Sequence, residues 1–244
     1  MAHEVEMART PRPTICTLIS ERGWTNMPRE FGPQDAKRFY DRIGRLQDAQ
    51  FYERPALRQL LSYADFEHAA AVFELGCGTG RLAAQLLGER LREGGNYAGL
   101  DLSSTMIGIA ARRLAPWGKR ATVSRADGTA FLPYSDGSFD RFVTTYVLDL
   151  LSDAGITTVL REAHRLLIPE GKLCVVTSTE GTGPISRLVS TAWMRLYKIN
   201  PGLVGGCRPL DRRSWLDERY WSVEYAEAVT SWGIASEIVI ARRL

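Results

Sequence analysis

Two hydrophobic periods alternate along the chain from residue 69 onward, one typical of strands and one typical of helices. Compact apolar runs predict strands near residues 70–75, 96–101, 121–125, 139–145 and 172–178. Between them, apolar residues recur every three or four positions and predict helices near 80–92, 103–114 and 154–167. Strands that alternate with helices in this way pair in parallel, because each helix carries the chain back to the starting edge of the sheet.

The pattern changes in the last third of the chain. Residues 184–197 predict an amphipathic helix, and residues 211–219 predict a further helix. One side of the first of these helices carries Ile185, Leu188, Val189, Trp193 and Leu196. Residues 223–241 predict two adjacent strands that turn near Trp232 and Gly233.

The residues before the first strand divide into two zones. Residues 1–33 contain four prolines and little periodicity, so we expect an N-terminal arm that is either mobile or docks late. Residues 34–66 predict two helices broken near Pro55. The expected organisation is this arm followed by one domain over residues 34–244, with a helical cap at 34–66 and an insert at about 180–219 that is free to build an acceptor site.

A glycine-rich turn follows the first predicted strand. Gly76, Gly78 and Gly80 stand at alternate positions between the strand and the next helix, and Cys77 lies among them. Glycine allows left-handed backbone angles and lets a ligand lie against bare main chain. We therefore predict a cofactor-binding loop, in which Cys77 is a small filler whose amide faces the ligand, not a reactive thiol.

The spacing of this turn separates two classes of cofactor. A dinucleotide loop has the pattern G-x-G-x-x-G, but here the third glycine, Gly80, comes one position early and Arg81 takes its place. Glu74 precedes the turn, and its carboxylate would repel a pyrophosphate while suiting a cationic ligand. The turn therefore favours a cationic, phosphate-free adenosine cofactor over a nicotinamide dinucleotide.

Together with this turn, four later segments resemble the class I S-adenosylmethionine-dependent methyltransferases, in particular the branch that acts on small molecules and lipid quinones. The segments are YAGLDLSSTM at 97–106, SRADGT at 124–129, SFDRFVTTYVLDLL at 138–151 and EAHRLLIPEGKL at 162–173. The resemblance covers roughly residues 39–173 in order. It implies S-adenosylmethionine as cofactor and an α/β fold, namely a Rossmann-like, seven-stranded, mostly parallel sheet with an antiparallel last strand and helices on both faces.

The resemblance assigns cofactor contacts to several matching positions. Asp101 ends the second predicted strand, where its carboxylate would accept both ribose hydroxyls, although an aspartate there is also a common helix cap. Asp127 and Gly128 match the loop that reads the adenine, and Asp-Gly is equally a common turn pair. Met106 either packs against the adenine or belongs to the core, and Leu102, which follows Asp101, is also assigned to the cofactor site.

Three more positions, two aromatic and one acidic, belong to the predicted site. Tyr40 matches an aromatic residue that closes over the cofactor in similar enzymes, and a core role explains it equally well. Tyr146 and Asp149 follow the fourth predicted strand, where residues face the transferred methyl group, so they are the candidates for a general base. Similar sequences often carry histidine where Asp149 stands, and Asp149 alternatively begins the next helix. His164 is expected to be structural.

Composition narrows the class of protein. The formal net charge is +3, and no basic run marks a nucleic-acid-binding face. The cysteines form neither close pairs nor metal-ligand spacing, so we expect a cytoplasmic protein without a metal site. No apolar stretch reaches membrane-spanning length, while Arg212 and Arg213 are either solvated surface or a contact for an acidic substrate or anionic lipid.

The sequence therefore predicts an enzyme that transfers a methyl group from S-adenosylmethionine to a small, hydrophobic or lipid-like acceptor, with peripheral membrane contact left open. Its aromatic residues between 193 and 221 are suggestive of an acceptor pocket and equally of core. The alternatives are a non-catalytic S-adenosylmethionine-binding regulatory protein and, less favoured by the glycine spacing, a nicotinamide-dependent reductase.

Overall fold

A computed structural model describes residues 51–129, 131–204 and 206–244, together with Asp35, Arg38 and Asp41. Its strands are β1 (Ala71–Leu75), β2 (Asn96–Asp101), β3 (Ala121–Arg125), β4 (Phe139–Thr145), β5 (Leu167–Ser178), β6 (Trp221–Ser231) and β7 (Ile234–Arg243). They form one seven-stranded sheet in the order β3-β2-β1-β4-β5-β7-β6. β7 runs antiparallel to β5 and β6, and all other strand pairs are parallel, so the predicted fold class is confirmed.

Helices cover both faces of this sheet. They are α1 (Arg54–Tyr63), α2 (Arg81–Gln85, extended by a π turn over Leu86–Arg90), α3 (Ser104–Leu114), α4 (Asp153–Leu166) and α5 (Pro184–Ile199). Along β1, Val72 packs into the core beneath α1 and α2, whereas Phe73 packs into the core beneath α4. Successive residues of a strand point to opposite faces, so β1 contributes to both cores.

Two local predictions differ in outcome. The predicted helix at 211–219 is wrong, because only a 3-10 turn forms over Arg212–Ser214. Trp215 and Leu216, adjacent in sequence, are both buried, and Asp217 accepts hydrogen bonds from Arg219, which fixes a turn after them. Pro55 lies in the first turn of α1, where proline is tolerated, whereas the helix predicted before it lies largely outside the described residues.

Residues 1–33, for which the N-terminal arm is predicted, lie outside the described part of the chain, as does Tyr40. Among the described helices, none combines the length and the apolar character that a membrane-spanning helix requires. The carboxyl ends of β1, β2 and β4 meet at one edge of the sheet, which is where ligands bind in open parallel sheets.

Candidate cofactor and acceptor site

The glycine-rich turn leaves β1 through a backbone that only glycine adopts readily. Gly76, Gly78 and Gly80 have φ angles of 76°, 51° and 73°. A Cβ atom on Gly76 would lie 2.2 Å from Cγ2 of Val147, and one on Gly80 would lie 3.1 Å from Cβ of Ala110. These glycines therefore serve both the turn itself and its close packing against neighbouring segments.

Hydrogen bonds fasten the turn to the end of β2. The amides of Gly76 and Cys77 donate to the Leu100 carbonyl at 2.7 and 3.0 Å. The Gly78 amide donates to Oδ2 of Asp101 at 2.9 Å, and the Ser103 amide donates to Oδ1 at 2.8 Å. The carboxylate of Asp101 thus holds the turn and the start of the next segment in one arrangement.

The residue that caps the helix after β2 is Ser103 and not Asp101. Ser103 is the N-cap of α3, and its hydroxyl accepts a hydrogen bond from the Met106 amide at 3.1 Å. Burial raises the pKa of the Asp101 carboxyl, the amides of Ser103 and Gly78 lower it, and the charge of Asp41 raises it. Asp101 is therefore a partly buried carboxylate at the mouth of the turn, with another residue doing the capping.

A cleft of about 210 Å³ opens beside this turn at the carboxyl edge of the sheet. Its described walls come from the segments after β1, β2, β3 and β4: Leu75, Gly76, Leu100, Asp101, Leu102, Ser103, Ala126, Gly128, Thr129, Leu132, Thr145, Tyr146, Val147, Leu150, Leu151 and Val159. Asp101 is the sole charged residue among them, and no lysine or arginine is present in this set. The cleft is therefore mostly apolar, with one carboxylate at its edge.

Five of the predicted cofactor residues line this cleft: Gly76, Asp101, Leu102, Gly128 and Tyr146. Others lie close by without forming its wall: Glu74, Cys77, Gly78, Gly80, Met106 and Asp127. The structure therefore brings together residues that are distant in sequence, since Gly76 and Gly128 are 52 positions apart.

Glu74 lies behind the glycine turn with an exposed fraction of only 2%. The hydroxyl of Tyr97 donates to its Oε2 at 2.5 Å. Burial raises the pKa of Glu74 to about 7, the bond from Tyr97 lowers it, and the charge of Asp101 raises it. Any influence of Glu74 on a cationic ligand therefore acts through the turn and not through direct exposure in the cleft.

Cys77 and Met106 are also buried. Burial, followed by the charges of Glu74 and Asp101, raises the pKa of the Cys77 thiol well above its usual value, which agrees with a filler role and not with a reactive thiol. The prediction that the Cys77 amide faces the ligand is wrong, because this amide is used by the carbonyl of Leu100.

Asp127 is exposed and organises its own loop. Its Oδ1 accepts hydrogen bonds from the Thr129 amide at 2.8 Å and from the Thr129 hydroxyl at 2.7 Å. These bonds lower the pKa of Asp127. Gly128, with φ of 83°, then presents its backbone to the cleft. The turn interpretation of the Asp-Gly pair is thus correct, and it is compatible with an adenine contact from this loop.

A polar cluster adjoins the cleft at the end of β4; it comprises the buried Asp149 and the partly buried Tyr52, Tyr146 and Cys207, and we call it the Asp149 cluster. Asp149 is completely buried, and its Oδ2 accepts hydrogen bonds from the Ser178 hydroxyl at 2.8 Å and the Ser178 amide at 3.3 Å. Its Oδ1 has no hydrogen-bond partner among the described residues. Such an atom is costly in a folded protein and marks a candidate functional group.

The members of this cluster affect one another electrostatically. Burial raises the pKa of Asp149 to about 6, and the bonds from Ser178 partly offset this. Burial is also the largest cause of the raised pKa of Tyr52 and Cys207, and the charge of Asp149 adds to it in both. Asp149 does not start the next helix, because Ser152 caps α4 by accepting from the Gly155 amide at 3.2 Å.

Tyr146 belongs to both the cleft and the cluster. Its φ angle of 54° is unusual for a residue with a side chain. Its amide donates to the Val176 carbonyl at 2.8 Å, and its hydroxyl pairs with the Ser236 hydroxyl at 2.8 Å. Burial raises the pKa of Tyr146 well above its usual value, so its phenol stays protonated at neutral pH.

Sequence reasoning did not place the residues of the insert beside Asp149. The Arg208 amide donates to the Asp149 carbonyl at 3.0 Å, and the Trp193 indole donates to the Cys207 carbonyl at 2.9 Å. The only sequence signal for these contacts is that Cys207 and Arg208 lie in a glycine-rich stretch. Such a stretch predicts a loop but does not reveal which strand end the loop covers. Trp215 and Trp221 instead pack in the core beneath α4.

His164 has the structural surroundings expected for it. Its ring lies edge-on to Tyr220 and Trp221, with ring centroids 5.8 and 5.5 Å away. Burial, followed by the charge of Arg243, lowers the pKa of His164. His164 therefore packs against aromatic side chains and is not among the residues that line the cleft.

Comparison with known proteins gives consistent results. Residues 72–171 match a family model described as a methyltransferase domain. The chain is 32% identical over 129 residues to the demethylmenaquinone methyltransferase of Lactobacillus johnsonii, covering 52% of this chain and 50% of that relative, so this match spans half of the relative's length. It is 26% identical over 174 residues to the enzyme of the same name from Shouchella clausii, covering 71% of this chain and 70% of that relative.

A solved structure shares the fold at low identity. The cyclase SpnF superposes with a TM-score of 0.65 at 16% identity, over 90% of this chain and 99% of that chain. Fold alone therefore does not determine the reaction. Residues 72–171 therefore resemble a methyltransferase domain, and the glycine turn fastened to Asp101 and the strand order agree with that resemblance.

Proposed function

We propose that this protein transfers the methyl group of S-adenosylmethionine to a small, hydrophobic or lipid-like acceptor. The observation that carries the proposal is the cleft at the carboxyl edge of the sheet, whose described walls hold one carboxylate, Asp101, and no cationic side chain. A pyrophosphate would meet no compensating charge there, whereas a cationic sulfonium ligand is favoured. S-adenosylmethionine supplies an activated methyl group on that sulfonium.

Asp101 is suited to hold a ribose. A carboxylate has about four acceptor positions, and the amides of Gly78 and Ser103 use one on each oxygen. Each oxygen therefore keeps capacity for a hydroxyl, which is the arrangement that a vicinal diol needs. Gly128 and the apolar side chains Leu102, Leu132 and Leu151 supply flat surface for an adenine ring.

The acceptor is proposed to enter beside Tyr146, where the cleft meets the Asp149 cluster. The insert at about 180–219 encloses this side, because Cys207 and Arg208 pack against Asp149 and Trp193 contacts Cys207. Enclosure excludes water from the methyl donor and positions the acceptor, which is the main requirement of such a transfer.

Asp149 is proposed as the group that takes a proton from an acceptor hydroxyl. With a pKa of about 6 it is mostly ionised at neutral pH, yet basic enough to accept a proton. Its Oδ1 has no partner among the described residues. Tyr146, whose phenol is protonated, is proposed to orient the acceptor and not to act as the base.

Calorimetric titration tests the cofactor assignment. We expect the demethylated product, S-adenosylhomocysteine, to bind and NADH not to bind. The variant Asp101→Asn is expected to bind about 10- to 150-fold more weakly, from about 1.5–3 kcal/mol for charge-assisted hydrogen bonds. Asp217→Asn, which removes an exposed carboxylate paired with Arg219, is the matched control and is expected to bind normally.

Transfer of radiolabelled methyl groups to extracted lipids and small molecules then tests the reaction. Labelled product that disappears in Asp101→Asn and persists in Asp217→Asn supports the proposal. Affinity without product from any acceptor fraction would instead favour a regulatory protein. Preferential binding of NADH would contradict the cofactor assignment itself.

A further inference from the structure

Helix α5 presents an apolar stripe to solvent instead of to the protein. Ile185, Leu188 and Ile199 are exposed to 75%, 72% and 74%, and Leu196 is exposed to 44%. At 100° per residue, these four side chains and Ala192 fall within one third of the helix circumference. The sequence pattern predicts an amphipathic helix here, but the structure turns much of its apolar side outward.

An adjoining side of α5 is the one that contacts the domain. Ser186 is buried, and Val189, Trp193 and Tyr197 are half-buried. Trp193 is fixed by its bond to the Cys207 carbonyl, and the turn between β6 and β7 approaches so closely that a Cβ on Gly233 would lie 3.1 Å from Val189. The helix is therefore docked on one side, and its exposed leucine and isoleucine residues are a separate surface.

The charge around this surface is of one sign. Arg187, Arg195 and Lys198 lie on α5 beside the apolar stripe, and none of them forms an ion pair with another described residue. Between Glu180 and Asp211 the sequence contains no aspartate or glutamate. Arg208, the remaining cation of this segment, is occupied by Asp153.

We propose that the outward face of α5 docks the protein on an anionic lipid surface. A helix that lies in the interface of a bilayer needs an apolar stripe for the acyl region and neighbouring lysine or arginine for the headgroups. α5 supplies both, with Ile185, Leu188, Leu196 and Ile199 in the stripe and the three cations along its edge. A protein partner with an acidic groove or a second copy of the chain is the competing occupant.

The assignment differs from the surface that the sequence suggested. Arg212 lies 3.8 Å from Glu237 and is thus already engaged with an acidic residue. The cations of α5 are on the helix that carries the exposed apolar side chains, so both contributions act at one place. The inference stands on this surface alone and holds whether or not the methyl acceptor is itself a lipid.

Co-sedimentation of the full chain with vesicles tests the proposal. We expect binding to phosphatidylcholine vesicles that contain about 30% phosphatidylglycerol, weakening with added salt, and much weaker binding to phosphatidylcholine alone. Leu188→Ser is expected to reduce the partition coefficient about tenfold, and Arg195→Gln about fivefold. Leu244→Ser is the matched control, because Leu244 is 57% exposed at the far end of β7.

The thermal stability and the cofactor affinity of each variant are measured separately from vesicle binding. All of these side chains are exposed, so the variants are expected to unfold at the temperature of the parent protein and to bind S-adenosylhomocysteine normally. The proposal is overturned if the parent protein ignores anionic vesicles or if Leu188→Ser binds them as well as Leu244→Ser does. A dimer that Leu188→Ser dissociates, without vesicle binding, would assign the same face to a second copy and also overturn it.

Discussion

Replacing Asp149 by asparagine is expected to stabilise the protein at neutral pH while impairing transfer. The substituted side chain would keep an oxygen for the hydroxyl and amide of Ser178, which hold Oδ2 in the parent protein. It would place an amide nitrogen where Oδ1 has no partner among the described residues. The change therefore removes one buried charge and retains the shape and one hydrogen-bonded side of the carboxyl group.

The size of the effect follows from the pKa of the carboxyl. Burial raises the pKa of Asp149 from 3.8 to about 6, so between these values the folded protein keeps a proton that the unfolded chain releases. Stability is therefore complete below about pH 4 and is lost as pH rises to about 6, by about 3 kcal/mol. An unpaired amide costs about 1 kcal/mol at all pH values. The variant should thus be about 2 kcal/mol more stable at pH 7.5 and about 1 kcal/mol less stable at pH 4.

Urea unfolding at both pH values measures this difference. Asp153→Asn is the control, because Asp153 has a 92% exposed side chain and the same substitution there is expected to change stability by less than about 0.5 kcal/mol. In the same preparation, transfer to a hydroxyl acceptor should fall about 100-fold in Asp149→Asn with unchanged affinity for S-adenosylhomocysteine. A stability difference that does not change sign with pH would refute the assignment of a buried titrating carboxylate.

Two further substitutions test the glycine turn and the carboxylate behind it. Gly76→Ala is expected to cost about 2–4 kcal/mol of stability and most of the cofactor affinity, because a Cβ atom there would lie against Val147. Gly94→Ala is the control and should cost only about 1 kcal/mol, because Gly94 has a φ of 88° but open space around its Cβ position. Adding Val147→Ala should recover part of the Gly76→Ala loss in a calorimetric melt. Glu74→Gln keeps an acceptor for Tyr97 and should raise stability above pH 7 by up to about 3 kcal/mol, with no gain below about pH 4.5, because burial raises the pKa of Glu74 to about 7. If Glu74→Gln shifts the urea midpoint by the same amount above pH 7 and below about pH 4.5, this reasoning is contradicted.

The order of elements and the cofactor edge were predictable because they depend on local signals. β1, β2, β4 and the helices after them carry the two hydrophobic periods with little interruption, and a crossover has one preferred hand. Gly76 and Asp101 stand at strand ends, so parallel pairing alone brings them to one edge. These positions could be placed from sequence without knowledge of side-chain contacts.

The rest of the site depends on contacts between distant segments. Cys207 and Arg208 reach Asp149 only because β5 and the insert fold back over the end of β4, and no local period encodes that. The Cys77 amide was expected at the ligand, but its donor is claimed by Leu100 on the neighbouring strand. The outward stripe of α5 was invisible for the same reason, since an amphipathic pattern gives an apolar side without saying what covers it.

The end of β4 joins the two halves of the proposed site. Tyr146 lines the cleft, and its φ of 54° departs from the strand that precedes it. Two bonds hold this conformation, from its amide to the Val176 carbonyl and between its hydroxyl and Ser236. Because the turn that follows carries Val147 against Gly76 and Asp149 into the buried cluster, one strained residue fixes both the wall of the cofactor cleft and the position of the unpartnered carboxylate oxygen. Tyr146 therefore links the wall of the cofactor cleft to Asp149, and the contacts from the insert complete the site around them.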